Sequence, residues 1–321
     1  MPAHAITIDD VRRAADQIAP WARQTPVMTC AALDRVAGRR LFFKCELWQK
    51  TGSFKFRGAA NAVRSLSDAE AARGVVTHSS GNHAQALARA ARLRGIPAHI
   101  VMPTSAAAVK RRAVEEYGGR VVACAPTLAA REATTARVQV ETGAILIPPY
   151  DHPHIMAGQG TAALELLAEV DDLDAIVAPV GGGGLMSGVS IAARGVRPDI
   201  RLFAAEPKGA DDAARSRAAG TRIPQTAPKT IADGLLTSLG ELTWPIIRDL
   251  LQDIVTVDDD EIAAAMRLTW ERAKLLIEPS SAVAVAAVLS PAFARFGVSR
   301  VGVILSGGNV DLDHLPWSRS A

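Results

Sequence analysis

The chain has 321 residues, of which 49% are hydrophobic and 21% charged, and its 36 basic and 33 acidic side chains give a formal net charge of +3. This length exceeds what one small core needs and predicts two lobes or one large α/β unit. The sequence contains no basic block with interleaved aromatic residues, so nucleic acid is not expected as a partner. It also contains no apolar run long enough to span a bilayer, so no membrane association is expected.

The cysteine pattern indicates a reducing compartment. Cys30, Cys45 and Cys124 are scattered, form no Cys-x-x-Cys pair and lack the spacing of a zinc site. They are expected to be small buried apolar residues rather than disulfide partners. The first residues, Met-Pro-Ala-His-Ala, lack the charged-then-apolar pattern of a secretory leader. We therefore expect a cytoplasmic protein.

The first predicted elements lead into a loop that contains an unusual lysine. Helical spacing of apolar residues predicts an amphipathic helix over residues 8–19, capped by Asp9 or Asp10, and a short strand follows at residues 39–45. In the next loop Lys55 lies between two aromatic residues. Such surroundings remove water from the amine, which lowers its pKa and favours the neutral form. A neutral amine is a nucleophile that forms an imine with a carbonyl.

Strands then alternate with helices. The pattern predicts strands at 75–77, 98–102, 121–125 and 144–147, and helices at 82–94, 106–117 and 129–141. Strands and helices of this length imply right-handed crossovers and a parallel sheet. The proline-rich stretch 148–153 interrupts the pattern and is interpreted as a crossing between two lobes.

A second alternating set follows the crossing. It comprises predicted strands at 173–180, 202–205, 254–257 and 301–305, helices at 185–194, 210–219, 244–251, 261–275 and 281–289, and an ordered loop at 231–236. The lysine precedes the first set, so we expect the first set to be inserted into a discontinuous larger lobe. The predicted division is a large domain, residues 1–66 and 152–321, and a small domain, residues 67–151.

A run of four glycines lies between a predicted strand and a predicted helix. Backbone amides without side chains can approach an anion closely, and a helix N-terminus favours negative charge. The run lacks the Lys-Ser/Thr ending of a P-loop and completes no Gly-x-Gly-x-x-Gly pattern. It therefore indicates a phosphate or carboxylate site, with a plain tight turn as the alternative. Its residues are Gly181, Gly182, Gly183 and Gly184, followed by Leu185.

Four motifs together resemble the serine/threonine dehydratase and serine racemase family of pyridoxal-phosphate (PLP) enzymes. They stand in that family's order, at residues 53–59 (SFKFRGA), 79–83 (SSGNH), 181–185 (GGGGL) and 306–309 (SGGN). The resemblance extends from about Ile6 to Leu312 and is strongest to the eukaryotic-type racemases. It implies fold type II, the tryptophan synthase β-like α/β architecture, with two lobes that each hold a mainly parallel sheet flanked by helices.

The resemblance also implies the cofactor contacts. It makes Lys55 the imine-forming residue beside Phe54, places Asn82 at the 3′-oxygen of PLP, and assigns the phosphate to the four glycines and Leu185. It puts the hydroxyl of Ser306 against the pyridine nitrogen. A neutral hydroxyl donates a hydrogen bond but does not hold the ring nitrogen protonated, so elimination is expected over transamination. An ordinary strand-end serine is the alternative for Ser306.

Substrate contacts follow from the same resemblance. The strand-to-helix turn that contains Ser79, Ser80, Asn82 and His83 is expected to hold the substrate carboxylate. Ser80 is expected to act as a second acid–base group on the cofactor face opposite Lys55, which inversion at Cα requires, although a simple helix cap also explains a serine there.

The residues expected near the β-substituent are less similar to the family. They are His78, Arg131, Tyr150 and Ser238. Arg131 and His78 would suit a second carboxylate and therefore a 3-hydroxyaspartate substrate. Tyr150 replaces the small amide of the eukaryotic racemases, which weakens the transfer of their substrate preference. The alternatives are that Arg131 lies on a helix surface and that Tyr150 serves in packing. Glu278, which the resemblance places near the pyridine ring, is given no catalytic role.

An acidic stretch resembles the divalent-cation site of the racemases. The resemblance assigns the carboxylates of Glu206 and Asp212 and the carbonyl of Ala210 to a hard ion such as Mg²⁺ or Ca²⁺, with Mn²⁺ left open. Without the family, a solvated acidic turn explains the same residues. The ion is expected to be structural.

The function that the resemblance implies is α,β-elimination of L-serine, and of L-threonine in addition, to a 2-oxo acid and ammonia, together with racemisation to D-serine. The alternatives are a 3-hydroxyaspartate dehydratase of the same family, a β-replacement enzyme of the cysteine synthase type, and a non-catalytic anion-binding module. His83 argues against the cysteine synthases, which have Thr there. A homodimer is implied by the family. The sequence leaves open the preferred substrate, the racemase-to-lyase ratio, the ion and a nucleotide effector.

Overall fold

The computed structural model of the protein describes residues 4–318, which form an α/β fold with two mainly parallel sheets. The expected α/β class is confirmed. The strands are β1 (Val27–Met28), β2 (Arg40–Cys45), β3 (Val75–His78), β4 (Ala98–Pro103), β5 (Arg120–Cys124), β6 (Ile145–Leu146), β7 (Ala175–Pro179), β8 (Arg201–Pro207), β9 (Asp253–Val257) and β10 (Arg300–Leu305). The helices are α1 (Ile8–Ile18), α2 (Ala31–Ala37), α3 (Lys55–Arg64), α4 (Asp68–Arg73), α5 (Asn82–Arg94), α6 (Ala108–Glu116), α7 (Leu128–Thr142), α8 (Pro153–Glu169), α9 (Gly184–Val196), α10 (Asp212–Ala219), α11 (Thr243–Leu250), α12 (Asp259–Ala273), α13 (Pro279–Leu289) and α14 (Pro291–Ala294).

The larger sheet has six strands in the order β1-β2-β10-β7-β8-β9. All its neighbours are parallel except β1, which pairs antiparallel with β2 at the edge. The smaller sheet has four parallel strands in the order β5-β4-β3-β6. The carboxyl ends of parallel strands meet at one edge of a sheet, where ligands usually bind in open α/β folds.

The six-stranded sheet has a hydrophobic core on each face because neighbouring side chains of a strand alternate between faces. On β2, Leu41 and Phe43 contribute to one core and Phe42 to the other. Helices α8 and α9 cover the face of Phe42, and α12 and α13 cover the opposite face. Strands buried on both faces read as continuous apolar runs, which is why the sequence predicts them well.

Helix α8 is the principal element that the sequence analysis missed. The proline-rich stretch predicts a break that includes Pro153, but Pro153 occupies the first turn of this 17-residue helix, where proline needs no N–H partner. His152 caps the helix, since its Nδ1 accepts from the backbone N–H of His154 at 3.2 Å. The short elements β1, α2, α4 and α14 were also missed.

Smaller expectations are corrected at the first helix and at one cysteine. Thr7, not Asp9 or Asp10, caps α1, and Asp10 completes the capping box from the third helical position. Cys30 is half-buried, whereas Cys45 and Cys124 are buried as expected.

The four-stranded sheet uses residues 75–146 and the six-stranded sheet uses residues on both sides of that range. The domain division itself stays a prediction, and its terminal residues 1–3 and 319–321 lie outside the described residues. Among residues 4–318, none of the helices combines the length and apolarity that crossing a bilayer needs.

Candidate active site

The loop between β2 and α3 carries the lysine and is hydrogen bonded to the end of β10. The backbone N–H of Phe54 donates to the carbonyl of Ser306 at 2.9 Å, and Ser53 forms an isolated antiparallel bridge with Gly307. These contacts join segments that are about 250 residues apart in sequence. The lysine motif and the SGGN motif therefore form one surface.

Lys55 begins α3 and is half-buried. Its Nζ donates to the carbonyl of Pro149 at 2.7 Å and lies 5.2 Å from the ring centroid of Phe54. Desolvation lowers the pKa of Lys55 to about 8, although the carboxylate of Glu278 acts in the opposite direction. A larger fraction of Lys55 is therefore in the neutral, nucleophilic form near neutral pH than for a solvated lysine.

A buried ionic network supports the lysine helix from behind, and the sequence analysis missed it. Arg57 donates to Glu46 at 2.7 Å and to Glu165 at 2.6 Å, and Lys44 donates to Glu165 at 2.6 Å. The two carboxylates outweigh burial and raise the pKa of Arg57. The only hint in the sequence was a lysine, Lys44, inside an apolar strand.

The four glycines form the turn from β7 into α9, and none of them leaves space for a side chain. Gly183 has a φ of +88°, and a Cβ there would lie 2.8 Å from Thr243. A Cβ on Gly182 would overlap the ring of Tyr150, and one on Gly184 would lie 2.9 Å from the Cβ of Tyr150. Bare backbone at the start of α9 is the geometry that binds a phosphate.

Asn82 is held by side chains from two distant segments. Its Nδ2 donates to Glu278 at 2.8 Å, and its Oδ1 accepts from Asn309 at 2.8 Å. Glu278 packs against Gly307, and burial, together with the charge of Asp233, raises its pKa to about 8. The sequence analysis found Asn82 but missed these two partners. Ser306, at the end of β10, is buried beside them.

The SSGNH motif forms the turn from β3 into α5. Ser79, Ser80 and Asn82 are half-buried, so they remain accessible, and Ser79 Oγ accepts from the N–H of Gly81 at 3.3 Å. His83 differs, since its ring is buried and its Nε2 lies 3.0 Å from the carbonyl of Ile147. Burial, together with the charge of Lys55, lowers the pKa of His83 to about 3. The imidazole is therefore neutral and turned into the core.

The residues assigned to the β-substituent separate into two groups. Burial lowers the pKa of His78, the charge of Glu132 opposes this shift, and the guanidinium of Arg131 adds to it. The Nε of Arg131 is buried and has no hydrogen-bond partner among residues 4–318. Tyr150 instead packs on the glycine turn. Ser238 Oγ accepts from the N–H of Gln225 at 2.8 Å, which ties it to a neighbouring loop.

The two acidic residues assigned to a cation lie close together at the end of β8. Glu206 accepts from the N–H groups of Ala213 and Ala214 at 2.9 Å, and Asp212 accepts from the N–H of Leu239 at 2.9 Å. Burial and the charge of Asp212 raise the pKa of Glu206 to about 8, and burial also raises that of Asp212. The second oxygen of Asp212 is buried and unpartnered within the described chain.

A hard cation fits this pair because it would neutralise two buried carboxylates and bind the unpartnered oxygen. No cluster of three or more His, Cys, Asp or Glu side chains suitable for a metal occurs within residues 4–318. Backbone carbonyls, including that of Ala210, and waters would have to supply the remaining ligands. Ala210 lies in the turn Lys208–Ala210, immediately before α10.

Three features lie at the edge of the parallel sheets: a half-buried lysine of lowered pKa, a glycine turn at a helix N-terminus and a strand-end serine. Together they define an α/β enzyme that holds its cofactor through a lysine. The chain belongs to the pyridoxal-phosphate dependent enzyme family, whose sequence profile matches residues 18–307. The predicted family is thereby confirmed.

Similar proteins indicate the branch of this family. A serine racemase of Arabidopsis thaliana is 52% identical over 316 residues, which cover 97% of this chain and 96% of that protein. A beta-hydroxyaspartate dehydratase of Paracoccus denitrificans is 50% identical over 312 residues, 97% of this chain and 99% of that protein. The solved structure of maize serine racemase superposes with a TM-score of 0.95 at 50% identity, covering 97% and 95% of the two chains.

Proposed function

We propose that this chain is a PLP-dependent enzyme that eliminates water from L-serine, and from L-threonine, and that also racemises serine. The supporting observation is the amine of Lys55, desolvated and hydrogen bonded at 2.7 Å to the segment that packs on the glycine turn. The identity of about 50% to serine racemases over nearly the whole chain supports the substrate class.

The residues present fit PLP. The glycine turn with Leu185 would hold the phosphate, Asn82 the 3′-oxygen, Ser306 the ring nitrogen, and Lys55 the aldehyde carbon. Bound PLP withdraws electrons from the substrate Cα and so makes its proton acidic. The narrow cradle at Gly182 and Gly183, which no other residue fits, is the structural reason for this assignment.

Lys55 acts as the base that removes the Cα proton from an L-amino acid. Once protonated, its Nζ donates to the Pro149 carbonyl, an acceptor that stabilises the ammonium. The substrate carboxylate is held by backbone N–H groups at the start of α5, where the helix dipole favours an anion. Loss of the Cα proton and the β-hydroxyl, followed by hydrolysis, gives pyruvate and ammonia from L-serine.

Ser80 supplies the second acid–base group. Inversion at Cα requires one group on each face of the substrate, whereas elimination requires only one. Delivery of a proton by the Ser80 hydroxyl, opposite Lys55, converts L-serine to D-serine. Ser80 is half-buried in the turn before α5, so a substrate can reach it.

The test is a panel of L-serine, D-serine and L-threonine, with chiral analysis of amino acids and assay of 2-oxo acids. The proposal expects D-serine and pyruvate from L-serine, and 2-oxobutyrate from L-threonine. Absence of both serine products in PLP-loaded protein would contradict it. Turnover that depends on sulfide would instead indicate the β-replacement alternative.

A second candidate function is dehydration of 3-hydroxyaspartate. Arg131, whose buried Nε has no partner in the described chain and whose charge lowers the pKa of His78, suits a second carboxylate. The 50% identical dehydratase of Paracoccus denitrificans also supports it. Erythro and threo isomers should be compared with L-serine in the wild type and in Arg131→Gln. A selective loss of kcat/KM for the hydroxyaspartates supports this candidate, and equal loss for both substrates contradicts it.

We also propose a structural divalent cation at Glu206, Asp212 and the carbonyl of Ala210. Calorimetric titration with Mg²⁺, Ca²⁺ or Mn²⁺ should show one site that Glu206→Gln abolishes. Asp253→Asn is the matched control, since Asp253 is an acidic residue that pairs with Arg295 instead. Equal binding by the wild type and Glu206→Gln would remove the ion from this position.

The remaining partners are proposals of the same kind. We propose a homodimer, which the family resemblance implies, and a cytoplasmic location, which the cysteine pattern indicates. A nucleotide effector is supported by a cleft of about 640 Å³ beside the lysine loop, which combines basic side chains with aromatic ones. They are Arg23, Lys50, Arg89, Trp48 and Tyr117. ATP that leaves activity and melting temperature unchanged would contradict the effector.

A further inference from the structure

The segment that crosses from the smaller sheet to α8 contacts both halves of the candidate active site. The carbonyl of Pro149 accepts from Lys55, and the ring of Tyr150 lies on Gly182. The next residue, Asp151, contacts neither Lys55 nor Gly182. Its carboxylate accepts from three consecutive backbone N–H groups, at 3.0, 2.9 and 3.3 Å, which belong to Glu241, Leu242 and Thr243.

Thr243 is the first residue of α11, Leu242 is its N-cap position and Glu241 precedes it, and Leu242 supplies no side-chain cap of its own. Asp151 therefore caps α11 from a distance of 90 residues in sequence. A carboxylate that accepts three N–H groups at a helix N-terminus is a strong cap, because charge-assisted bonds and the helix dipole act together. Gly240 packs so closely on this carboxylate that a Cβ there would overlap it.

The capped segment in turn holds the glycine turn. The carbonyl of Gly182 accepts from Thr243 Oγ1 at 2.8 Å and from the N–H of Gly240 at 3.3 Å. The same N–H also donates to Thr243 Oγ1 at 2.9 Å. Fixing the Gly182 carbonyl in this direction turns the N–H of Gly183, which belongs to the same planar trans peptide unit, to the opposite side.

We propose that Asp151 is a positioning residue that fixes the anion-binding shape of the glycine turn through the start of α11. The inference rests on the proposed assignment of this turn to the cofactor phosphate. Asp151 touches neither the turn nor the lysine with its carboxylate, so its effect is confined to the phosphate end of the cofactor. The PLP aldehyde and ring contacts, at Lys55 and Ser306, stay as they are.

The test compares PLP with pyridoxal, which lacks the phosphate, by equilibrium titration of the full-length protein after cofactor removal, using the absorbance of the bound form. Asp151→Asn keeps the shape of the side chain but replaces one accepting oxygen with an NH₂ group that faces N–H donors. We expect its PLP affinity to fall about tenfold, which corresponds to the loss of one strong cap. Its pyridoxal affinity should be unchanged.

Two further variants make the outcome decisive. Asp174→Asn is the matched control. The carboxylate of Asp174 also accepts from backbone N–H groups, those of Ser299 and Arg300. These lie at the amino-terminal end of β10, which is the end opposite the site. Its affinity ratio for PLP and pyridoxal should equal that of the wild type. Thr243→Val removes the Oγ1 donor to Gly182 at nearly constant volume. It should lower PLP affinity as much as Asp151→Asn does. This second variant keeps the inference testable if Asp151→Asn fails to fold.

The outcomes separate the inference from the proposed function. Wild-type protein that binds PLP no better than pyridoxal would remove the phosphate from the glycine turn. A wild type that prefers PLP, with Asp151→Asn and Thr243→Val keeping the full preference, would overturn the inference alone. Equal losses of PLP and pyridoxal affinity in both variants would also overturn it, because they would show a general structural defect.

Discussion

Substitution of Gly183 by alanine tests the glycine cradle most sharply. Gly183 has a φ of +88°, and an alanine Cβ would lie 2.8 Å from both the Cβ and Oγ1 of Thr243. The left-handed backbone costs about 1–2 kcal/mol for a residue with a Cβ. Overpacking against buried Thr243 adds about 1–3 kcal/mol, because a shift of the turn or of α11 must relieve it. PLP affinity should fall because phosphate binding requires the turn in its unshifted position.

Gly38→Ala is the matched control for the backbone cost. Gly38 ends α2 with a φ of +68°, and a Cβ there would contact nothing within 4 Å. The two variants share the cost of a left-handed backbone, so the difference between their PLP affinities isolates the clash with Thr243. We expect PLP affinity to be about 5- to 150-fold weaker in Gly183→Ala than in Gly38→Ala. Titration of PLP by absorbance measures both dissociation constants. Equal constants in the two variants would refute the cradle argument.

Three further predictions follow from the proposed chemistry. Ser80→Ala should abolish racemisation of L-serine and retain most of its elimination; chiral chromatography with a pyruvate assay measures both, and parallel losses would remove Ser80 from its role. Because the pKa of Lys55 is lowered to about 8, its neutral base form grows as pH rises, so kcat for elimination should rise through a limb near pH 8. A flat kcat between pH 7 and 9 would contradict this. Arg57→Leu leaves the carboxylates of Glu46 and Glu165 without their arginine and should lower the free energy of unfolding by about 3–5 kcal/mol. Denaturant titration checks this, and a loss below about 1 kcal/mol would show that the network tolerates an unpaired carboxylate.

The sequence predicted the alternating strands and helices because buried parallel strands and amphipathic helices have local patterns. It missed α8 because Pro153 is ambiguous in sequence, since the same residue interrupts a helix or begins one. It also placed the cap of α1 on an aspartate, although Asp10 serves that helix from the third helical position.

The candidate site also contains some residues that the sequence predicts and others that it does not. The lysine motif, the glycine run and the SGGN motif are contiguous in sequence, so a family resemblance finds them. The partners of Asn82, the network around Arg57 and the cap supplied by Asp151 depend on side chains 11–227 residues apart, which the fold alone brings together. The orientation of His83 into the core was likewise decided by packing, since its spacing in the motif suited a substrate contact equally well.

The central claim is that the amine of Lys55 bonds covalently to the cofactor aldehyde. Borohydride reduction of the PLP-loaded protein, followed by proteolysis and mass spectrometry, tests it directly because reduction fixes an imine as a stable amine. Reduction should leave one phosphopyridoxyl group, attached to the peptide that contains Lys55 and absent from Lys55→Ala. A label on another lysine, or a protein that takes up PLP without any reducible bond, would contradict it.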